Sequence, residues 1–197
     1  PTASPAAPRG RPDGHRYPAS VRPVADAALE ALIRDVPDFP QPGIVFKDIT
    51  PLLGSAAGFA AVVDRLVEHL TGRRIDKVVG IEARGFVLAA PIAHRLGAGL
   101  VPVRKPGKLP WQTESVEYAL EYGTDRLEIH RDAVLPGDRV AIVDDVLATG
   151  GTAAATAELV EAIGGEVVSL AFLLELTFLD GAARLAGREH HALLRVG

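Results

Sequence analysis

One stretch constrains the fold of this chain more than any other: Val140-Ala141-Ile142-Val143-Asp144-Asp145-Val146-Leu147-Ala148-Thr149-Gly150-Gly151-Thr152. Arg139 to Val143 holds four consecutive apolar residues, the pattern of a strand buried on both faces. Two acids follow, then a loop of small residues. A helical segment then runs from Gly151 to Ile163 and is closed by Gly164-Gly165. A strand without polar alternation needs helices over both faces of its sheet, which means a mainly parallel sheet.

The rest of the chain repeats the alternation. Ala25, Ala28, Leu29, Leu32 and Ile33 keep the spacing of an amphipathic helix. Pro37 to Pro51 is punctuated by Pro and Gly and excludes regular helix. Phe59, Val62, Val63, Leu66, Val67 and Leu70 form a second helical face, and Ile75 to Ile81 is a short apolar run. Gly85 to Leu96 predicts a helix, bent near Pro91 and stopped at Gly97. Leu100–Val103, Val167–Leu174 and Ala192–Val196 read as further strands. Val116, Tyr118, Leu120 and Tyr122 alternate with polar or small residues. After Gly123-Thr124-Asp125, Leu127 and Ile129 do the same, which is a hairpin signal. The expected class is α/β, a mainly parallel central sheet flanked by helices with an antiparallel flap hairpin.

Composition sets the boundaries of the argument. At 197 residues and 48% hydrophobic, the chain supports one domain with a sizeable core. We place that domain at residues 24–197. Residues 1–23 hold six of the fifteen prolines and carry Arg9, Arg11, Arg16 and Arg22 against Asp13. With few large apolar side chains they read as a flexible Pro- and Arg-containing extension. The extension is +3 in a chain of −4, which leaves −7 on the rest. That balance argues against nucleic acid as a partner. Zero cysteines exclude disulfides, thiolate metal sites and thiol nucleophiles. No apolar run reaches the roughly 20 residues of a membrane helix, and no secretory signal opens the chain. A cytoplasmic protein with no membrane partner is expected.

The loop after Asp145 has its own chemistry. Ligands of open parallel sheets bind beyond the carboxyl ends of the strands. Ala148, Thr149, Gly150, Gly151 and Thr152 let main-chain N–H groups point inward unobstructed, and the helix behind adds partial positive charge. Thr149 and Thr152 add hydroxyl donors. Asp144 and Asp145 are acceptors suited to the vicinal hydroxyls of a ribose. The combination describes a cradle for a ribose 5-phosphate. By spacing alone, helix capping plus surface charge is the alternative reading of the two acids. No Lys follows Gly150 or Gly151 as a Walker A loop requires, no G-x-G-x-x-G follows a strand, and no G-x-S-x-G is present.

This acidic pair and loop resemble the phosphoribosyl-diphosphate signature of type I phosphoribosyltransferases. The likeness to the adenine-using branch of that family extends further. It includes Pro37-Asp38-Phe39-Pro40-Gln41-Pro42-Gly43-Ile44-Val45-Phe46-Lys47-Asp48-Ile49-Thr50-Pro51-Leu52, Arg84-Gly85-Phe86 and Arg104-Lys105-Pro106-Gly107-Lys108-Leu109-Pro110. Leu120-Glu121-Tyr122-Gly123, Leu127-Glu128-Ile129-His130 and Glu175-Leu176-Thr177 continue it. The resemblance covers about Asp26 to Leu185. It implies a type I phosphoribosyltransferase-like fold with an N-terminal hood segment. It also implies a purine salvage reaction: adenine and 5-phospho-α-D-ribose 1-diphosphate give AMP and diphosphate.

The same resemblance assigns roles. Ala148 to Thr152 bind the 5-phosphate, and Asp144 and Asp145 bind the ribose hydroxyls. Arg84, with Arg104, Lys105 and Lys108, meets the diphosphate. Mg²⁺ is the expected cofactor, held through substrate and water rather than by protein ligands. Main-chain groups around Val45 and Lys47 read the adenine edge, while Phe46 is either a base neighbour or a core residue. Glu121 is the catalytic candidate, accepting the ring proton that adenine loses. Residues 107–122 form a water-excluding lid. The family often has Arg where this chain has Lys47, and Ser where it has Ala83. His190-His191 reads as surface rather than metal site. A homodimer is implied. Two alternatives are a same-fold enzyme for another purine base and a non-catalytic phosphoribosyl-diphosphate-binding regulator.

Overall fold

The structure is a computed structural model that describes residues 24–119 and 124–197. The expected extension at 1–23 and the residues Leu120, Glu121, Tyr122 and Gly123 lie outside the described residues.

Five parallel strands form the central sheet, in the order β4 (Gly99–Val103), β3 (Lys77–Ile81), β7 (Arg139–Leu147), β8 (Glu166–Leu176), β9 (His190–Val196). Side chains alternate across it. On one face Ala141, Val143, Ala171 and Leu173 join Val62, Leu66 and Leu70 of α3 (Ala56–Leu70) and Leu88 and Ile92 of α4 (Arg84–Leu96). On the other, Val140, Ile142, Leu170 and Phe172 meet Leu159 and Val160 of α5 (Gly151–Ala162). Leu127 and Ile129 of the flap complete that second layer. The two-sided cover expected from the unalternated strands is therefore present, and Gly97 caps α4 in the left-handed conformation as expected.

Two antiparallel hairpins stand on this frame. The flap pairs β5 (Thr113–Ala119) with β6 (Thr124–His130). The other pairs β1 (Arg34–Pro37) with β2 (Val45–Asp48) and forms the hood. Two short helices flank the hood, α1 (Asp26–Glu30) and α2 (Thr50–Gly54).

Three expectations need correction. The first helix stops at Glu30 rather than reaching Ile33, because Arg34 to Pro37 is taken up in pairing with β2 and Pro37 cannot continue a helix. Strand β7 does not end at Val143; it runs through both acids to Leu147, held by pairing with β8 as far as Leu147↔Glu175. Finally, His190 and His191 are partly buried on β9, with the ring of His191 stacked on His69 at 4.1 Å.

Candidate active site

The loop Ala148-Thr149-Gly150 joins β7 directly to α5, at the carboxyl end of the central strand. Gly150 has φ +80°, a conformation that glycine adopts without penalty. No side chain caps α5, so neither Asp144 nor Asp145 is a helix cap, and the first N–H groups of the helix stay available. Asp144, Ala148, Thr149, Gly150, Gly151 and Thr152 line a hollow of about 80 Å³. The loop is braced from behind by Gly181. A Cβ there would collide with the Ala148 carbonyl oxygen, and one on Gly150 would collide with the Gly181 carbonyl. Nothing in the loop's own sequence marks Gly181, which lies some thirty residues on.

The hollow adjoins a larger cavity of about 410 Å³. Its wall includes Val45, Phe46 and Lys47 from the hood, Glu82 and Arg84 beyond β3, both acids of β7, and Val146, Ala148 and Thr152. Residues predicted from three distant segments thus border one space. Asp145 is buried and accepts a hydrogen bond from Nε of Arg84. Asp144 borders both spaces, and its Oδ1 accepts the Asp145 N–H at 2.9 Å. Burial, reinforced by the neighbouring Asp145 carboxylate, pushes the Asp144 carboxyl well above its usual value.

Phe46 is not in the core. It stands partly exposed at the cavity wall, edge-on to Phe39 at 5.2 Å, with the Arg84 guanidinium 5.2 Å from its ring centroid. Lys47 turns its ammonium to Asp35, at 2.7 and 2.9 Å. Among the described residues strand β2 pairs only with β1, so its other edge leaves main-chain groups unpaired by any described strand.

The basic segment is arranged differently from a row of free cations. Arg104, Lys105 and Lys108 do not line the cavity themselves. They gather around acids instead. Nε of Arg104 lies 3.3 Å from Glu82 Oε2, the Lys105 N–H donates to the same oxygen at 2.9 Å, and the Lys108 ammonium bonds Oε1. The Lys105 ammonium pairs with Asp125 at 3.0 Å, whose hydrogen bond raises the Lys105 pKa. Glu82 and Asp125 were not singled out by sequence. The flap also touches the loop: Thr152 Oγ1 donates to the Tyr118 hydroxyl at 3.3 Å. Glu121 lies outside the described residues, so the catalytic candidate has no geometry here.

The cavity offers carboxylate oxygens, the donors that a hard divalent cation takes. Carboxylates of Glu82, Asp144 and Asp145 border the cavity, yet among the described residues no group of three or more His, Cys, Asp or Glu could hold a metal ion. One or two carboxylates beside a phosphorylated ligand is the usual arrangement for Mg²⁺.

Comparison with known proteins follows the same lines. Residues 47–192 match the phosphoribosyl transferase domain. The adenine phosphoribosyltransferase of Chloroflexus aurantiacus is 59% identical over 167 residues, covering 85% of this chain and 96% of that protein. That of Acidothermus cellulolyticus is 60% identical over 168 residues, covering 85% and 95%. Among solved structures, adenine phosphoribosyltransferase from Thermoanaerobacter pseudethanolicus superposes with a TM-score of 0.84 at 56% identity, covering 86% of this chain and 99% of that one. The Saccharomyces cerevisiae enzyme, complexed with an imino-altritol bisphosphate and adenine, gives 0.80 at 40% identity, covering 85% and 97%.

Proposed function

The chain belongs to the phosphoribosyl transferase family, and on that premise we propose that it is a purine salvage enzyme joining adenine to the phosphoribosyl group. The reaction consumes adenine and 5-phospho-α-D-ribose 1-diphosphate and yields AMP and diphosphate. One observation carries the reading beyond family membership. The hollow of about 80 Å³ at the β7–α5 turn adjoins a cavity whose lining includes the Phe46 strand and both carboxylates of β7. Those three features match phosphate, base and sugar in order.

In this reading the N–H groups of Ala148 to Thr152 and the Thr149 and Thr152 hydroxyls hold the 5-phosphate. Asp144 and Asp145 accept from the ribose hydroxyls. Their charge also favours the oxocarbenium-like state expected as the bond from the anomeric carbon to diphosphate breaks. The unpaired edge of β2 around Val45 and Lys47 reads the adenine edge, and Phe46 supplies an aromatic face. Arg84 turns from Asp145 toward the departing diphosphate, joined by Arg104, Lys105 and Lys108. Glu121 accepts the proton that adenine loses as its ring nitrogen bonds to the sugar carbon. Mg²⁺, when bound, offsets the charge that collects on the diphosphate. Closure of the flap over the loop excludes water.

No helix among the described residues is long and apolar enough to cross a membrane. A cytoplasmic homodimer completes the proposal, and sedimentation tests the second part. The main test is incubation with the sugar diphosphate, Mg²⁺ and one purine at a time, measuring AMP and diphosphate. Turnover with adenine is expected. Turnover with hypoxanthine but not adenine would assign another base, and tight binding without turnover would make the chain a regulator.

A further inference from the structure

The chemistry above leaves one carboxylate at the cavity unused. Glu82 directly follows β3, its side chain only 11% exposed, and it borders the same space as Arg84 and the β7 acids. Three donors from one short loop converge on it: Arg104 Nε at 3.3 Å and Lys105 N–H at 2.9 Å on Oε2, and the Lys108 ammonium on Oε1. The loop is tethered from its other side too. Gly107 N–H donates to Glu128 at 3.1 Å, and Arg104 and Glu128 exchange main-chain bonds at 3.0 and 2.7 Å. Burial alone would raise the Glu82 carboxyl. The bonds from Lys108 and Lys105 and the nearby Arg104 charge hold it below its usual value, so it stays ionised.

Two guanidinium- or ammonium-bearing side chains and a main-chain N–H around paired anionic oxygens is the donor set that a phosphoryl group requires. We propose that Glu82 is an internal stand-in for the substrate's diphosphate. It keeps Arg104, Lys105 and Lys108 gathered as an anion site and is displaced from them when diphosphate arrives. This rests on the reading of that loop as the diphosphate site. Glu82 is then a positioning residue that sets diphosphate affinity by competition. Cations held by a carboxylate release a bound polyanion more readily than bare ones, because the carboxylate returns as the product leaves.

The test is titration of the wild-type chain and Glu82→Gln with inorganic diphosphate by calorimetry, with and without Mg²⁺, alongside product inhibition. Gln keeps the shape and one acceptor oxygen but removes the competing charge. Wild type is expected to bind, and Glu82→Gln to bind about tenfold more tightly in both conditions, with inhibition setting in at correspondingly lower diphosphate. Equal or weaker binding by Glu82→Gln overturns the stand-in role. Weakening confined to the Mg²⁺ titration overturns it by assigning Glu82 to the metal. Absence of diphosphate binding by wild type overturns the diphosphate-site reading itself. Should Glu82→Gln fail to fold, Glu82→Asp keeps the charge but falls short of its partners. A several-fold tightening is then expected, and unchanged affinity overturns the proposal.

Discussion

Nε of Arg84 donates to the buried carboxylate of Asp145, tying the first turn of α4 to the far end of β7. The same guanidinium lies 5.2 Å from the centre of the Phe46 ring. One side chain therefore touches the acid assigned to the sugar and the ring assigned to the base. Arg84→Met should leave Asp145 without its partner and cost about 1 kcal/mol. That is the low end for an orphaned buried acceptor, because the guanidinium side of the pair is open to water. Thermal unfolding should fall by roughly 2–4 °C. The KM for the sugar diphosphate should rise more than that for adenine.

Asp144 predicts a trade between stability and activity. Its folded pKa is raised above the usual 3.8 by burial and by Asp145, so the native state binds the proton more tightly than the unfolded chain. The stability from this group is present below pH 3.8 and lost as pH rises through the folded value. At neutral pH the carboxylate is then a net penalty. Asp144→Asn should raise the melting temperature at pH 7, with the gain vanishing toward pH 3.8, while turnover drops sharply. A lowered melting temperature at pH 7 would contradict the sign.

Gly181→Ala tests the brace behind the phosphate loop. Its new Cβ would meet the Ala148 carbonyl, and backbone cannot yield as a side-chain tip can. Binding of ribose 5-phosphate should weaken at least tenfold, with adenine binding less affected. Unchanged ribose 5-phosphate affinity would show that the loop can shift without loss.

Glu121→Ala should lower kcat by about 10²–10⁴, the usual contribution of a positioned acid–base group. Substrate affinities should change little. An unchanged kcat would remove Glu121 from the chemistry.

The stacked imidazoles of His69 and His191 should make the fold acid-sensitive. Burial depresses both, aided by His191 and Arg73 at His69 and by Arg195, Arg65 and Arg73 at His191; Glu189 opposes. Because the folded values lie below 6.5, the contributed stability is complete above that pH and lost as pH falls. His191→Phe keeps the stack without the charge and should flatten the decline in melting temperature between neutral pH and about pH 5. An identical slope would place the acid sensitivity elsewhere.

The sequence by itself determined the parallel sheet, the flap hairpin and the small-residue turn at Ala148–Gly150 that opens α5. Each is written in residues close together in the chain, where strand period, glycine freedom and helix polarity act locally. It misjudged the end of β7, because continued pairing with β8 keeps a strand going through two acids. Tertiary structure alone decided which charges meet. Arg84 and Asp145 lie 61 positions apart, and Glu82 lies 22 and 26 from Arg104 and Lys108. Gly181 braces a loop that no local pattern connects to it. Such contacts depend on how whole elements pack against one another, and no periodicity within a segment carries that information.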